Sequence, residues 1–102
     1  MGQQTFNSII KTVSATGTPE ALGSGAVRAH SVTFLGLKAA RTDNVGKVWI
    51  QPGSGNDSAA VPLNPGDDVT FTANGPDEYF TDAQFYIDVE TAGDGCVVLW
   101  NK

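Results

Sequence analysis

The sequence of 102 residues contains a single cysteine, Cys96. One thiol cannot form a disulfide within the chain, which excludes the small secreted domains that disulfides hold together. Cys96 lies in an apolar run and has no basic neighbour in the sequence that would activate it. We therefore expect a buried, unreactive thiol that packs as a small hydrophobic side chain.

Histidine is equally scarce, and His30 is the only one. A typical zinc site would need a second histidine or a cysteine pair. A Ser-His-Asp triad would need a serine beside His30, which nothing in the sequence indicates, and no Gly-x-Ser-x-Gly stretch is present. His30 is better explained as a strand residue near a sheet edge, and we predict that the protein is not an enzyme.

Basic residues are few as well. Six Lys and Arg against eleven Asp and Glu give a formal net charge of −5, and the six are scattered. Nucleic acids and anionic membranes are bound by clusters of basic residues. No apolar run approaches the roughly 20 residues of a membrane-spanning helix, and the N-terminus lacks the pattern of a signal peptide. We predict that neither nucleic acid nor a membrane is a partner.

Acidic residues occur in and near the predicted turns, where their oxygens are candidate calcium ligands. The groups are Asp67 with Asp68, Asp77 with Glu78 and Asp82, Asp88 with Glu90, and Asp94. None has the spacing of a known calcium loop. Asp67 follows a Pro-Gly turn and Asp94 stands between two glycines, so turn formation accounts for both. We predict no metal and no cofactor.

Turn-forming residues, by contrast, are abundant, with 12 glycines and 5 prolines. They separate short segments in which apolar and polar residues alternate, as is typical of half-buried strands. In the clearest of these, Phe85, Ile87 and Val89 alternate with polar residues. After a turn at 91–95, residues 96–100 are apolar on both faces, as in a strand covered on both sides. We predict that these two strands form a hairpin around which the chain packs.

Further strands are predicted at residues 26–38, 47–51 and 68–73. Residues 6–15 form either a first strand or an arm that lies on a partner, and we favour the strand. The sequence therefore predicts an all-β fold, a small antiparallel β-sandwich or β-barrel of about six to eight short strands with almost no helix. Residues 1–15 are the N-terminal arm or first strand, and residues 16–102 are a single β-sandwich domain.

Large aromatic residues occupy one face of several predicted strands. Trp49, Tyr86 and Trp100 each alternate with apolar neighbours, so their strands have an apolar face and a second face with a large aromatic side chain. Either both faces are covered within one domain, or the aromatic faces form a protein–protein surface, where Trp and Tyr are enriched. The candidate interface also includes the apolar first segment, and its members are Phe6, Ile9, Ile10, Trp49, Tyr86 and Trp100.

Five strand and turn motifs follow one another along the chain. They are Thr-Pro-Glu-Ala-Leu at 18–22, the strand at 27–37, Gly-Lys-Val-Trp-Ile at 46–50, Leu-Asn-Pro-Gly-Asp-Asp-Val at 63–69, and Tyr-Ile-Asp-Val-Glu-Thr-Ala-Gly-Asp-Gly-Cys-Val at 86–97. Together they resemble small structural proteins of tailed bacteriophages, most closely those that decorate or cement the head. The resemblance covers roughly residues 12–101 and carries over no catalytic residues.

The resemblance implies a β-sandwich that binds the outside of a shell of major coat protein, often as a homotrimer, and stabilises the head by linking neighbouring coat subunits. The protein would be assembled in the host cytoplasm and lie on the outer surface of the virion. An acidic chain suits that exterior, away from packaged DNA. Two alternatives stay open: a tail, neck or fibre structural protein of a phage, and a carbohydrate- or receptor-binding module in which Trp49, Tyr86 or Trp100 stacks on sugar rings.

Overall fold

The computed structural model of the chain describes residues 6–25, 27–39, 41–52, 60–75 and 77–101, with only the backbone described at positions 6, 7 and 52. Strands make up 54% of the structure, and the described residues contain no helix beyond a 3-10 turn at Asp82–Gln84, so the predicted all-β class is confirmed. The strands in chain order are β1 (Phe6–Thr12), β2 (Glu20–Ala21), β3 (Arg28–Ala29), β4 (Ser31–Leu35), β5 (Leu37–Ala39), β6 (Thr42–Asp43), β7 (Val48–Pro52), β8 (Val61–Leu63), β9 (Asp68–Thr72), β10 (Phe80–Thr81), β11 (Phe85–Val89) and β12 (Gly95–Asn101).

Two four-stranded antiparallel sheets form the body of the fold. The first sheet has the strand order β1-β12-β4-β9, and the second has the order β2-β11-β7-β8. Two short ribbons, β3 with β10 and β5 with β6, complete the described strands. Buried apolar side chains from both sheets belong to one cluster, so the sheets share a core in the manner of a β-sandwich.

Phenylalanine rings connect the two sheets inside this core. The ring centroid of Phe85, in β11, lies 5.0 Å from that of Phe34 in β4 and 5.4 Å from that of Phe71 in β9. Phe80, in β10, lies 5.5 Å from Phe85. Edge-on and tilted aromatic pairs at such distances add to the free energy gained by burial alone. The strand periodicity that placed Phe85 and Phe71 on apolar faces therefore also places them in the core.

The predicted C-terminal hairpin is wrong, because β11 and β12 belong to different sheets. β11 pairs with β2 and β7, whereas β12 pairs with β1 and β4. The turn between them crosses from one sheet to the other, with Gly93 at a φ of 90° and the Asp94 N–H donating to the Thr91 carbonyl at 3.1 Å. Two strands with apolar inward faces can lie across a core from each other or pair side by side, and local sequence does not distinguish the two.

The segment predicted as one strand at 26–38 contains three strands, β3, β4 and β5. The chain bends at His30 and again at Gly36. The carbonyl of Gly36 accepts the N–H of Gly66 at 3.0 Å, and a Cβ at Gly36 would lie 2.7 Å from the carbonyl oxygen of Asn64. No side chain fits between the strand and this crossing turn, so the position requires glycine.

The N-terminal segment is a strand of the first sheet. β1 pairs with β12 from Phe6 opposite Asn101 to Thr12 opposite Gly95. The two strands come close at that last pair, where a Cβ on Gly95 would overlap the carbonyl oxygen of Lys11. The absence of a side chain at Gly95 is what allows β1 to close this edge of the sheet.

Gly95→Ala is therefore expected to lower the free energy of unfolding by about 1–3 kcal/mol, because the added methyl group forces β1 away from β12. Urea denaturation measures this loss. Gly75→Ala is the matched control, because its Cβ would meet only the flexible side chain of Glu78, 3.3 Å from Oε1. We expect the control to change stability by no more than about 0.5 kcal/mol. Equal losses in the two variants would contradict the role assigned to Gly95.

Candidate functional site

Four side chains form a block on the outward face of the second sheet. In the register of β7 and β11, Trp49 lies opposite Asp88 and Gln51 lies opposite Tyr86. The residues that alternate with them in the two strands point into the core. Strand pairing thus brings Trp49 and Tyr86, two of the predicted interface residues, onto one surface.

A cavity of about 250 Å³ opens in this block, lined by Trp49, Gln51, Ala60 and Asp88, and we call it the Trp49 cavity. Trp49 is partly exposed, Gln51 is buried, and Asp88 is only 9% exposed. Nζ of Lys47 lies 5.9 Å from the centroid of the Trp49 ring, within the range of a cation–π interaction. An aromatic ring beside a few polar side chains in a concave site is the usual composition of a binding site.

The carboxylates buried in the described part of the chain belong to Asp82, Asp88 and Asp94, and they differ in how their oxygens are used. Both oxygens of Asp94 accept backbone N–H groups: Val45 donates at 3.0 and 3.1 Å, and Gly46 donates at 2.8 Å. Oδ1 of Asp82 accepts the N–H of Gly25 at 2.6 Å. Asp94 and Asp82 therefore hold loops in place, as a buried carboxylate with backbone donors is expected to do.

Asp88, like Asp82, accepts backbone N–H groups through Oδ1. Oδ1 accepts the N–H of Gly17 at 2.9 Å and the N–H of Val89 at 2.8 Å. Oδ2 has no hydrogen-bond partner among the described residues, and the side chain lines the Trp49 cavity. Oδ2 is not one of the described buried atoms that lack a partner, so it is reached from the cavity and can accept a hydrogen bond from a group that enters it.

The outward face of the first sheet is uncharged over three neighbouring strands. Its described members on β1, β12 and β4, which we call the apolar face, are Ser8, Ile10, Thr12, Ser31, Thr33, Leu35, Val97, Leu99 and Asn101. Ile10, Val97 and Leu35 form one row across the strands, and Leu99 lies in the next row. Ile10 is 52% exposed and Leu99 is 41% exposed. Grouped aliphatic side chains on a surface make this face a candidate for a protein contact.

The residues predicted as an interface do not form one surface. Trp49 and Tyr86 share the outward face of the second sheet, whereas Ile10 lies on the apolar face of the first sheet. Ile9 is exposed in the edge strand β1. The side chain of Phe6 lies outside the described residues. The prediction therefore combined residues from two opposite sides of the sandwich.

Trp100 lies in the core with 0% exposure and offers no surface to a partner. Residues 96–100 are apolar on both faces, so alternation alone does not tell which face of β12 points inward. In the structure the larger side chain is buried and Leu99 is the exposed one. The indole removes more apolar area from water than a leucine does, which favours this orientation.

Leu99, Gln51 and Asp88 are among the residues of these two surfaces that were not predicted to contact a partner. The sequence carries a signal for Asp88, because a lone acid in an apolar strand must either face outward or have buried donors. For Leu99 the signal is its alternation with Trp100, because neighbouring strand residues point to opposite faces and burial of the indole leaves Leu99 on the outer face. No feature of the sequence distinguishes Gln51 from other polar strand residues.

Neither a group of metal-ligating side chains nor a membrane-spanning helix is found in the part of the chain that the structure describes. His, Cys, Asp and Glu side chains do not come together there in groups of three or more, and no helix is both long and apolar enough to cross a membrane. Asp67 instead accepts the N–H of Asn64 at 3.2 Å within the turn that it was predicted to form. The chain matches no protein-family model, no curated protein and no solved structure.

Cys96 is buried, as predicted, and burial raises the pKa of its thiol from 9.0 to about 12. The unfolded thiol loses its proton above pH 9.0 while the folded thiol keeps it, so rising pH favours the unfolded state. We expect the stability of the wild type relative to Cys96→Ala to be constant below that pH and to fall by up to about 1.4 kcal/mol per pH unit above it. Urea denaturation across this pH range measures the difference.

Val98→Ala is the control for this pH dependence, because Val98 lies on the same buried face of β12 and does not titrate. Its stability relative to the wild type should stay constant across this pH range, since both proteins retain Cys96 and lose the same stability above pH 9.0. A Cys96→Ala variant that follows the same pH curve as Val98→Ala would show that the thiol does not control this loss.

Asp94→Asn is expected to lower the free energy of unfolding by about 2–3 kcal/mol. The amide places an NH₂ donor where Oδ1 accepts the N–H of Val45, and it removes the charge from the remaining hydrogen bonds to Val45 and Gly46. Asp77→Asn makes the same change in charge at an exposed position and should be close to neutral. Urea denaturation of both variants checks the difference, and a neutral Asp94→Asn would contradict the capping role.

Proposed function

We propose that this protein is a decoration or cement protein of a bacteriophage head, which binds the outer surface of the shell and links neighbouring coat subunits. The observation on which the proposal depends is the apolar face, an exposed face of a small β-sandwich that is uncharged over three strands and is bordered by Asp68 of β9, beside Leu35. The resemblance of the strand and turn motifs to phage head proteins supplies the identity of the partner.

The apolar face suits a protein contact because its desolvation cost is low. None of its nine described side chains is charged, although 17% of the chain is charged. Charged groups are depleted at the centres of protein interfaces, since removing them from water is expensive. Ile10 and Leu99 supply exposed aliphatic surface whose burial favours binding.

The edge strand β1 offers a second way of binding. In the first sheet β1 pairs with β12 on one side only, and its other side is the sheet edge. An edge strand can add to a sheet of a neighbouring subunit through main-chain hydrogen bonds. Ile9 and Ile10 lie on β1, so edge pairing and apolar contact would occur at the same border of the molecule.

Function in this proposal is mechanical. Each copy binds the assembled shell and not its separated subunits, so binding shifts the equilibrium toward the assembled state. Contacts to two neighbouring subunits act together, because the second contact is made at a high effective concentration. Weak individual contacts are therefore sufficient when many copies are bound.

A tail, neck or fibre protein would use the same surfaces at another position in the virion. Immunogold electron microscopy of virions of the phage that encodes this chain distinguishes these proposals. Gold distributed over the heads would support a decoration protein. Gold confined to tails or necks would instead support a tail or neck protein. Absence of gold from the virion would contradict both.

A carbohydrate- or receptor-binding module is the second candidate, and the Trp49 cavity is the observation that favours it. Its indole could stack on a sugar ring while Asp88 accepts from a hydroxyl group. A glycan array distinguishes the two proposals, because a decoration protein is expected to bind no glycan on it.

Leu99→Glu and Leu99→Lys are each expected to weaken binding to heads that lack the protein by about tenfold or more, since either charge must be desolvated on the apolar face. Using both signs excludes an accidental attraction to the shell. Val45→Glu is the control, because Val45 is 68% exposed and lies outside that face. Cosedimentation with heads measures binding, and thermal unfolding verifies the fold. Loss of binding in the control alone would overturn the assignment of the surface.

A further inference from the structure

We propose that the edge strand β1 pairs with β1 of a second copy of this chain, so that the first sheets of two molecules join into one eight-stranded sheet. The pairing is antiparallel, and the Ile10 residues of the two copies lie opposite each other on a two-fold axis. The inference names the partner of β1 and rests on the proposed function only in treating this edge as a contact. It concerns the protein by itself, without the phage head.

The first argument is a comparison of the four edges of the two described sheets. Proteins protect edge strands against pairing by keeping them short or by placing proline or charge on them. β2 has two residues, β8 has three with Pro62 in the middle, and β9 begins with the exposed Asp68. β1 has seven residues, pairs with β12 without interruption, and contains neither proline nor an acidic residue. β1 is therefore the edge that is open to a further strand.

The second argument is exposed aliphatic surface on both faces of this edge. Ile10 is exposed on the outward face. Ile9 points to the core side, opposite the buried Val98, and is exposed as well. A strand beside β1 would cover both isoleucines, and burial of their side chains favours association. It would also continue the row in which Ile10 lies beside Val97 and Leu35.

The third argument is the direction of the main-chain groups of β1. The N–H of Val13 donates to the carbonyl of Asp94 at 2.9 Å, and the carbonyl of Val13 accepts the N–H of Gly93 at 2.9 Å. Val13 therefore bonds toward β12, and in an antiparallel ladder every second residue before it does the same. The residues between them, whose N–H and C=O groups point to the free edge, are Ser8, Ile10 and Thr12.

These three residues are complementary to themselves, which favours a second copy of the chain as the occupant. With Ile10 on the axis, Ser8 of each copy lies opposite Thr12 of the other. Aliphatic residues then meet aliphatic residues and hydroxyl groups meet hydroxyl groups, and such directly opposed pairs stabilise a sheet. The outward side of the first sheet already contains a hydroxyl pair of this kind, between Thr33 and Thr70 at 2.8 Å.

Charge also favours the two-fold pair. Lys11 is the one charged residue of β1, it does not face its counterpart in this register, and its Nζ is held by Oε1 of Glu20 at 2.9 Å. The free edge of β9 is a less suitable partner, because there an aliphatic residue of β1 would meet hydroxyl groups and a carboxylate. The outward residues of β9 are Asp68, Thr70 and Thr72. A two-fold pair also closes on itself, as in most soluble oligomers.

Sedimentation equilibrium of the purified full chain tests the pairing. One pair of edge strands is a small interface, so we expect a monomer–dimer equilibrium with a dissociation constant on the order of 1–100 μM. A chain that stays monomeric up to about 1 mM would overturn the proposal, because that concentration exceeds the expected constant at least tenfold. A trimer would overturn it as well.

Ile10→Glu and Ile10→Lys are the decisive variants, since each places two like charges opposite each other on the axis. Each variant alone is expected to dimerise at least about tenfold more weakly than the wild type. An equimolar mixture of the two should dimerise again, because opposite charges then meet. Val45→Glu is the matched control, since it adds a charge at an exposed apolar residue outside β1 and should leave dimerisation unchanged.

Thermal unfolding verifies that the variants keep the fold, as expected for an exposed position. Dimers formed by each variant alone, or a mixture that stays monomeric, would contradict the position of Ile10 on the axis. Neither measurement uses phage heads. Loss of the dimer therefore leaves binding to the shell open, and absence of the protein from virions leaves the dimer open.

Amide hydrogen exchange, followed by nuclear magnetic resonance, shows which strand pairs. The N–H groups of Ser8, Ile10 and Thr12 should exchange more slowly as the protein concentration rises, because the second copy accepts them. Those of Ile9 and Lys11 bond to β12 in the monomer and serve as internal controls whose exchange should not depend on concentration in this way. A dimer that leaves exchange at Ile10 unchanged would use another surface and would overturn the proposal.

Discussion

Two buried polar side chains, Asn44 and Asp94, fix the turn in which the chain crosses from one sheet to the other. Nδ2 of Asn44 donates to the carbonyl of Gly95 at 2.7 Å, and its Oδ1 accepts the N–H of Gly95 at 3.0 Å. Asp94 accepts from the loop residues Val45 and Gly46. These bonds join the start of β12 to the loop before β7. Since β12 and β7 are interior strands of the two sheets, both outward surfaces depend on this network.

Alternation in the sequence predicts strand faces well where only one face is apolar. Val69 and Phe71 pack against the core while Thr70 and Thr72 are exposed, as their pattern predicts. The same rule is ambiguous for residues 96–100, because both faces of that strand are apolar. Only the structure shows that Trp100 lies on the buried face. Strand pairing was also beyond the sequence, because the partners of β11 and β12 are distant in the chain and the turn between them is compatible with a hairpin or a crossing.

The Trp49 cavity could be predicted only in part. Alternation places Trp49 and Tyr86 on the side of their strands opposite the core-facing residues, but their register against Asp88 and Gln51 follows from the pairing of β7 with β11. Asp88 and Asp94 look alike in sequence, each an acid near the C-terminal turn. They differ because Asp94 meets two backbone donors from a distant loop, whereas Asp88 has donors at Oδ1 alone. Such differences arise from tertiary contacts that no local pattern encodes.

The positions of the two surfaces bear on how a small domain can strengthen a shell. Outward faces of the two sheets of a sandwich point in opposite directions, so the apolar face and the Trp49 cavity cannot both contact one flat partner. They can contact two partners that lie on either side of the domain. A domain that is already bound through one surface meets the partner of its other surface at a high effective concentration. Each additional contact therefore adds to the stability of the assembly. Under the proposed function, this arrangement would favour linking adjacent subunits over capping a single one.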